Sequence, residues 1–158
     1  MEEIIAYRED LLKALGDVVE GLSETVARLP ALAWHQSIRP GESALHFILF
    51  HLRELEAQVY TRQLPRFLAE DNPTLPVFDD QAWMAIHYRP DEPAASIMTG
   101  LCRLRSSELE WLRRLPPTGW SRMARHPWWG VHTLQWWVEL QLEDSFNHLK
   151  RLPALGDL

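Results

Sequence analysis

The chain has 158 residues, of which 46% are apolar and 24% are charged, and a formal net charge of -6. This composition is typical of a single globular domain over residues 1–158, and it excludes a disordered chain. The negative charge and the absence of Lys or Arg runs argue against nucleic acid as a partner. The longest apolar stretches are too short to span a bilayer, which predicts a protein with no membrane segment.

Only one cysteine, Cys102, is present, so an internal disulfide is impossible and a reducing cytoplasm is the expected compartment. The N-terminus is acidic and lacks the basic and apolar regions of a signal peptide. A chain of this length buries about two-thirds of its unfolded surface, so it needs no structural metal. Any metal would therefore serve the protein's function.

Apolar residues recur at spacings of three and four in four segments, which predicts four helices. The first covers residues 2–29 and stops before Pro30. The second begins at residues 41–43 and runs toward Pro65, which should end or bend it. No sustained alternating pattern of a β-strand appears between them or elsewhere.

The third predicted helix covers residues 93–115, and the fourth covers residues 133–152 with Thr133 as its cap. Two long connections, residues 72–92 and 116–130, separate the last three helices. A crossover between the second and third helices would let those two run parallel. The sequence thus predicts an all-α four-helix bundle with one crossover.

Three side chains of the second and fourth predicted helices form a candidate metal site: His51, Asp144 and His148. Asp144 and His148 are four residues apart, so they lie one turn apart on one helix face. His51 flanks the apolar arc of its helix, and antiparallel packing would bring it level with the other two. Two imidazoles and a carboxylate suit Zn, Ni, Mn or Fe(II) in an open site. The alternative is a hydrogen-bonded Asp144 and His148 pair at a helix C-terminus.

Two motifs resemble those of the DinB-like superfamily, a group of metal-dependent four-helix-bundle proteins related to thiol-dependent S-transferases. The matching residues are, in chain order, His51-Leu52 with Glu56, then His126-Pro127, Gly130 and Thr133-Leu134. The resemblance spans nearly the whole chain. It implies a bundle with a crossover, frequent homodimers and a divalent metal held by the second and fourth helices. Such proteins usually supply two histidines four residues apart from the last helix, and here Asp144 replaces the first of them.

Four more residues are candidates for the surroundings of the metal. Glu56 would accept a hydrogen bond near the ligands or pair with an arginine. Gln141 would orient a ligand or substrate, unless it is solvated at the edge of its helix. Trp137 would line a pocket or pack in the core, and His126 would close over the site from the loop before the last helix.

These candidate residues are compatible with three functions. The first is a thiol S-transferase, in which the metal binds a low-molecular-weight thiol and delivers it to a small electrophile. The second is a metal-dependent hydrolase, which would turn over without a thiol. The third is a non-catalytic dimeric module for binding or stress response, whose metal site Asp144 has altered or abolished.

Overall fold

The computed structural model describes residues 1–37 and 39–152. Four long helical segments form the bundle, and each corresponds to a predicted helix. They are α1 (Glu2–Arg28), α2 (Leu45–Leu55) with its continuation through a π-helical turn (Glu56–Thr61), α5 (Ala94–Arg113) and α6 (Leu134–Leu149). The predicted all-α four-helix bundle is confirmed. No helix within the described residues is long and apolar enough to cross a membrane.

Cross-helix contacts show the relative directions of α2, α5 and α6. Arg53 packs on Gly100 and Glu56 binds Arg105, so α2 and α5 ascend together and run parallel. His51 lies beside His148 and Glu56 beside Gln141, so α2 and α6 run antiparallel. Because α2 and α5 are consecutive helices of the bundle and run parallel, the chain between them must cross from one end of the bundle to the other, as predicted.

The connections contain more regular structure than the sequence analysis predicted. Residues 62–93 include two short helices, α3 (Arg66–Ala69) and α4 (Asp80–His87). Before α6, the strands β1 (Met123–His126) and β2 (Gly130–Thr133) form an antiparallel hairpin. Strands of four residues are too short to show an alternating pattern, because two apolar positions also fit a helix or a loop.

The hairpin is fastened on both sides. The backbone of Arg125 exchanges hydrogen bonds with that of Pro73 and Leu75, each 2.8 Å long, which ties the first long connection to β1. Thr133 then caps α6, as predicted, by accepting a hydrogen bond from the amide of Trp136. The hairpin and the first long connection are therefore held next to the start of α6.

Two apolar clusters fill the bundle at different levels along its axis. One surrounds Leu15, Phe67 and Val138, and the other surrounds Leu22 and Leu49. Between these levels lies a buried polar layer centred on the guanidinium of Arg105, which is 4% exposed. The core is consequently divided into two apolar halves by a layer of polar side chains.

Arg105 binds groups on all the other long helical segments. Its guanidinium donates to both carboxylate oxygens of Glu56 at 2.8 and 2.9 Å. It also donates to the carbonyl oxygen of Leu15 on α1 at 2.7 Å and to the hydroxyl of Ser145 on α6 at 3.3 Å. A buried ion of this kind is tolerated only when its hydrogen bonds are made.

A second carboxyl group, that of Glu108, lies in the same layer. Burial and the negative charge of Glu56 raise the pKa of Glu108 well above its usual range, so this carboxyl is neutral. Burial would also raise the pKa of Glu56, but the hydrogen bond with Glu108 and the charge of Arg105 outweigh it and lower the pKa. The layer thus contains one carboxylate, one neutral carboxyl and one guanidinium.

His46 is buried at the start of α2. The imidazole is 1% exposed, with Nε2 2.6 Å from the carbonyl oxygen of Glu92 and Nδ1 2.9 Å from the hydroxyl of Tyr88. Because a carbonyl oxygen only accepts, Nε2 carries the proton. His46 anchors the residues before α5 to the start of α2.

Candidate metal centre

A cavity of about 920 Å³ opens between α2, α6, the hairpin turn and the segment that leads into α4. Cavities that bind small molecules typically have volumes of about 300–1,000 Å³. The three predicted ligands, His51, Asp144 and His148, all line this cavity. The structure therefore places all three at the wall of one cavity, although α2 and α6 are far apart in the chain.

The two histidines are neighbours. The ring centroids of His51 and His148 are 5.2 Å apart, and the rings meet edge to face at 62°. Antiparallel packing of α2 and α6 produces this approach, because it sets the middle of α2 against the last turns of α6. Both imidazoles are largely buried, with His148 9% exposed and the side chain of His51 14% exposed.

The proton of His148 can be placed from its contact. Nδ1 lies 2.8 Å from the carbonyl oxygen of Asp144, one turn earlier on α6. A carbonyl oxygen only accepts, so Nδ1 carries the proton and Nε2 carries the lone pair. Metal-binding histidines typically donate one ring N–H to a carbonyl or carboxylate in this way.

His51 is held by a residue that the sequence analysis did not predict. Its Nε2 is 2.9 Å from Oδ2 of Asp80, the first residue of α4. Burial and the nearby His148 lower the pKa of His51 and outweigh the opposing effect of Asp80, so the imidazole is neutral. A neutral imidazole is the form that binds a metal ion.

Asp144 is held by Tyr60, another residue that was not predicted. The Tyr60 hydroxyl donates to Oδ2 of Asp144 at 3.2 Å. Burial and the charge of Asp144 raise the pKa of Tyr60 well above its usual value, so the phenol keeps its proton. The contact occupies one carboxylate oxygen and leaves Oδ1 for another partner.

The donors present suit a divalent cation of the first transition series. The imidazoles of His51 and His148 and the carboxylates of Asp80 and Asp144 are the nitrogen and oxygen ligands that Zn, Ni, Mn and Fe(II) accept. Within residues 1–37 and 39–152, however, no group of three or more His, Cys, Asp or Glu side chains is arranged to hold a metal ion as it stands. The four donors surround the cavity without converging on one point, so metal binding by His51, Asp144 and His148 stays a prediction.

Chains with the same fold are found among solved structures. The chain matches YfiT from Bacillus subtilis with a TM-score of 0.81 at 20% identity, over 90% of this chain and 82% of YfiT. YfiT is described as a probable metal-dependent hydrolase with an unusual four-helix bundle topology. The chain therefore shares the four-helix bundle fold of YfiT. The sequence matches no protein-family model and no curated protein.

Two of the four accessory residues lie deeper in the bundle than the candidate metal ligands do. Glu56 and Gln141 are 2% and 0% exposed, and the Gln141 amide nitrogen donates to both oxygens of Glu56 at 3.1 and 3.0 Å. Neither side chain hydrogen-bonds to His51, Asp144 or His148 within the described residues. Of the two alternatives for Glu56, the structure shows the ion pair with an arginine, Arg105.

A void of about 20 Å³ separates the buried layer from the candidate metal site. Glu56, Arg105 and Ser145 of the layer line it together with Tyr60, Asp144 and His148 of the site. The volume is close to that of one water molecule, and leucine and valine side chains complete the wall. The buried layer and the candidate metal site therefore border the same small void.

The other two accessory residues line the large cavity. Trp137 is 2% exposed and His126 is 5% exposed, with ring centroids 5.7 Å apart. His126 accepts hydrogen bonds at Nδ1 from the backbone amides of Trp128 and Trp129, at 3.2 and 3.3 Å. It therefore shapes the hairpin turn that forms one wall of the cavity.

The hairpin turn should loosen in acid, because the neutral form of His126 makes its contacts. Burial lowers the pKa of His126 below its ordinary value near 6.5, so the unfolded chain takes up the proton first as the pH falls. The stabilising effect is thus complete above about pH 6.5 and declines below it toward the lowered pKa. Amide hydrogen exchange at Trp128 and Trp129 should accelerate, beyond the intrinsic pH effect, across this window.

A matched variant isolates this histidine. In His126→Phe, exchange at the two tryptophan amides should be fast already at pH 7.5 and should show no further loosening in acid. His35→Phe, at an exposed position outside the hairpin, should keep the pH dependence of the wild type. Protection at Trp128 and Trp129 that stays constant from pH 7.5 to pH 5 in the wild type would contradict the assignment.

Tyr60 and Asp80 were not predicted from the sequence, for different physical reasons. In a regular α-helix, nine residues place Tyr60 about 180° from His51, on the opposite face. The π-helical turn Glu56–Thr61 changes this phase and brings Tyr60 to the face of Asp144, as such turns often do at functional sites. The helix that carries Asp80 had a detectable sequence signal. The preceding residue, Asp79, is a capping residue, and its side chain accepts a hydrogen bond from the amide of Ala82 in α4.

Proposed function

We propose that this chain is a metal-dependent enzyme that acts on a small molecule, and that hydrolysis is its reaction. The observation that carries the proposal is the pair of adjacent imidazoles, His51 and His148, at the wall of a cavity of about 920 Å³ that two carboxylates also line. The fold shared with YfiT, a probable metal-dependent hydrolase, supports the same reaction class.

The proposed ligands are His51, Asp144 and His148. A divalent cation held there would act as a Lewis acid and supply a nucleophile near neutral pH. Hydrogen bonds with neighbouring groups orient these side chains. His148 donates from Nδ1 to the carbonyl oxygen of Asp144, and His51 donates from Nε2 to the Asp80 carboxylate. The Tyr60 hydroxyl donates to the Asp144 carboxylate and so orients it.

The cavity walls contribute by excluding water and positioning the substrate. Leu55, Val59 and Leu75 supply apolar surface, and Trp137 supplies a buried aromatic face. Excluding water strengthens every electrostatic interaction inside the cavity, because the local dielectric constant is lower than that of bulk water. A substrate bound there would meet the candidate ligands at one end and apolar side chains along its length.

A second candidate is thiol S-transfer, which the sequence resemblance to thiol-dependent transferases favours. The volume of the cavity fits this reaction too, since about 920 Å³ is at the upper end of the range for one small molecule. A third candidate is a binding module without catalysis. It is favoured by the hydroxyl of Tyr60 on Asp144 and by the absence, among the described residues, of an ion-ready group of ligands.

One set of measurements separates the three. Protein purified without a chelator would be analysed for metal and assayed with a panel of aryl esters and amides, with and without glutathione or cysteine. Turnover without a thiol that chelation abolishes is the expected result. Turnover only with a thiol would replace hydrolysis with S-transfer. Less than stoichiometric metal, with no turnover after addition of Zn, Ni, Mn or Fe(II), would leave the binding module.

The resemblance also leads us to propose a cytoplasmic homodimer. Light scattering coupled to size-exclusion chromatography should give twice the 18.5 kDa mass of one chain. A monomer at micromolar concentration would contradict the dimer and would leave the proposed reaction untouched, because every proposed ligand comes from one chain.

Replacing Tyr60 with phenylalanine should weaken metal binding without unfolding the bundle. The phenylalanine keeps the ring in the core and removes only the hydroxyl that orients Asp144. Loss of such an outer partner typically lowers metal affinity by about 10- to 100-fold. Tyr7→Phe is the matched control, since the Tyr7 hydroxyl donates to Glu139 and neither residue lines the cavity. Equal metal affinity in both variants, measured by competition with a chromogenic chelator, would show that Tyr60 does not position Asp144.

A further inference from the structure

The large cavity has aromatic walls contributed by several separate segments of the chain. Phe78 and Trp83 come from the first long connection and α4, Trp128 and Trp129 from the hairpin turn, and Trp137 from α6. Phe78 and Trp83 are themselves in contact, with ring centroids 5.6 Å apart. Aromatic side chains drawn from distant segments to one cavity provide flat apolar surfaces against which another ring can stack.

Two of these tryptophans are not explained by the packing of the core. Trp128 is 73% exposed and Trp129 is 45% exposed, whereas Trp137 is only 2% exposed. Both exposed tryptophans follow His126, whose Nδ1 accepts from their backbone amides. The turn thus fixes both residues, and the Trp129 ring stacks on His126 with centroids 4.3 Å apart. Most of the Trp128 ring and the remaining surface of Trp129 are exposed, so they can form the wall of a binding site.

The charges of the cavity favour an anion once a cation is bound. Arg62 and Arg151 line the cavity, and neither forms an ion pair with a carboxylate in the part of the chain that the structure describes. A third cation, Arg66, is already neutralised by Glu70 at 2.6 Å. The opposing carboxylates are Asp80 and Asp144. A divalent cation held at the site would neutralise them and leave the two arginines as uncompensated positive charge.

We propose that the cavity binds a planar aromatic anion, with its ring against Trp128 and Trp129 and its anionic group toward Arg151 and Arg62. This inference rests on the proposed function, because the bound cation is what leaves the arginines uncompensated. It names the substrate class of the same site. Arginine is suited to the role because its planar guanidinium binds carboxylate, sulfonate and phosphate groups through two parallel hydrogen bonds.

Isothermal titration calorimetry with two matched probes tests the inference on metal-loaded full-length protein. The probes are 2-naphthoate and 2-naphthamide, which share one ring system and differ in charge. We expect 2-naphthoate to bind about tenfold more tightly, the ratio that one charge-assisted hydrogen bond supplies. Cyclohexanecarboxylate keeps the charge and lacks the aromatic plane, and it should bind more weakly than 2-naphthoate by at least about fivefold.

Variants assign the two parts of the recognition. Arg151→Ala should remove the preference for 2-naphthoate over 2-naphthamide, whereas Arg113→Ala, which removes an exposed cation at the end of α5, should keep it. Trp128→Ala should weaken both naphthalene probes by a similar factor of about five, since it removes ring surface and no charge. Trp128 is largely exposed, so this variant is expected to fold normally.

The metal content of the same samples distinguishes the ways in which the inference can fail. Stoichiometric metal with equal affinity for 2-naphthoate and 2-naphthamide overturns the aromatic anion and leaves the proposed function standing. The same holds for stoichiometric metal with no binding of either probe. Absence of metal in the wild type after incubation with Zn, Ni, Mn and Fe(II) overturns the proposed function, and this inference with it.

Discussion

Replacing Arg105 with methionine should lower the free energy of unfolding by about 3–5 kcal/mol, the usual cost of removing one partner of a buried ion pair. Methionine matches the length of the arginine side chain but makes none of its hydrogen bonds. Glu56 would then keep its negative charge in a site where it is 2% exposed, and the carbonyl oxygen of Leu15 would lose its partner. Urea unfolding followed by circular dichroism measures the loss.

Arg103→Met is the matched control for this prediction. Arg103 lies on the same helix two residues earlier and is exposed, so the same substitution there should change the free energy of unfolding by less than about 0.5 kcal/mol. If Arg105→Met also lost less than about 1 kcal/mol, the buried layer would not contribute to stability as the contacts indicate.

A double variant identifies the reason for the loss. Arg105→Met combined with Glu56→Leu removes both charges, and Glu108 is already neutral because burial and Glu56 raise its pKa. Replacing a whole buried ion pair with apolar residues is often nearly neutral for stability. The double variant should therefore recover most of the stability lost in Arg105→Met, whereas additive losses would mean that packing, not charge, explains the single variant.

The parts of the fold that the sequence predicted are those governed by long helical repeats. The four bundle helices have 11 to 27 residues, with an apolar arc on one side, and the arc determines which face packs inward. His51 and His148 were predictable together because both lie beside such arcs and the long connection implies antiparallel packing of their helices. The crossover followed from the same two observations.

Arg105 and Glu108 were missed because charged residues on a helix are ordinarily assigned to its solvent face. Their positions contained the contrary signal. Arg105 lies four residues after Leu101 and four before Leu109, within the apolar stripe of α5, and Glu108 adjoins Leu109 on the inward side. Charges in the middle of an apolar stripe predict a buried ion pair, provided that a partner such as Glu56 occupies the facing helix.

Tyr60 and Asp80 could not be located by periodicity. The contribution of Tyr60 depends on a π-helical turn, whose wider winding changes which residues share a face with His51. The contribution of Asp80 depends on where the eight-residue helix α4 docks, and this is decided by tertiary contacts such as the hydrogen bond from Trp83 to Glu54 at 2.8 Å. The side chains that orient the candidate ligands are thus less predictable than the ligands themselves.

Replacing His148 with alanine should abolish stoichiometric metal binding, with a loss of affinity of more than about 100-fold. Removal of an outer partner alone typically costs about 10- to 100-fold, and His148 supplies a nitrogen ligand directly. Because Nδ1 is held by the carbonyl oxygen of Asp144, the Nε2 lone pair is oriented before the metal arrives, and alanine removes it. The measurement is metal content by mass spectrometry after dialysis against trace metal.

His35→Ala is the control for this variant, since His35 is exposed and lines a separate groove between α1 and α5. It should retain the metal content of the wild type. Asp144→Asn and Asp80→Asn then compare the two carboxylates, and we expect the larger loss for Asp144→Asn because Asp144 shares a helix face with His148. One metal ion per chain in both His148→Ala and His51→Ala would place the metal elsewhere and refute the site. A larger loss in Asp80→Asn would instead keep the two histidines and exchange the carboxylate, so that α4 and not α6 completes the ligand set.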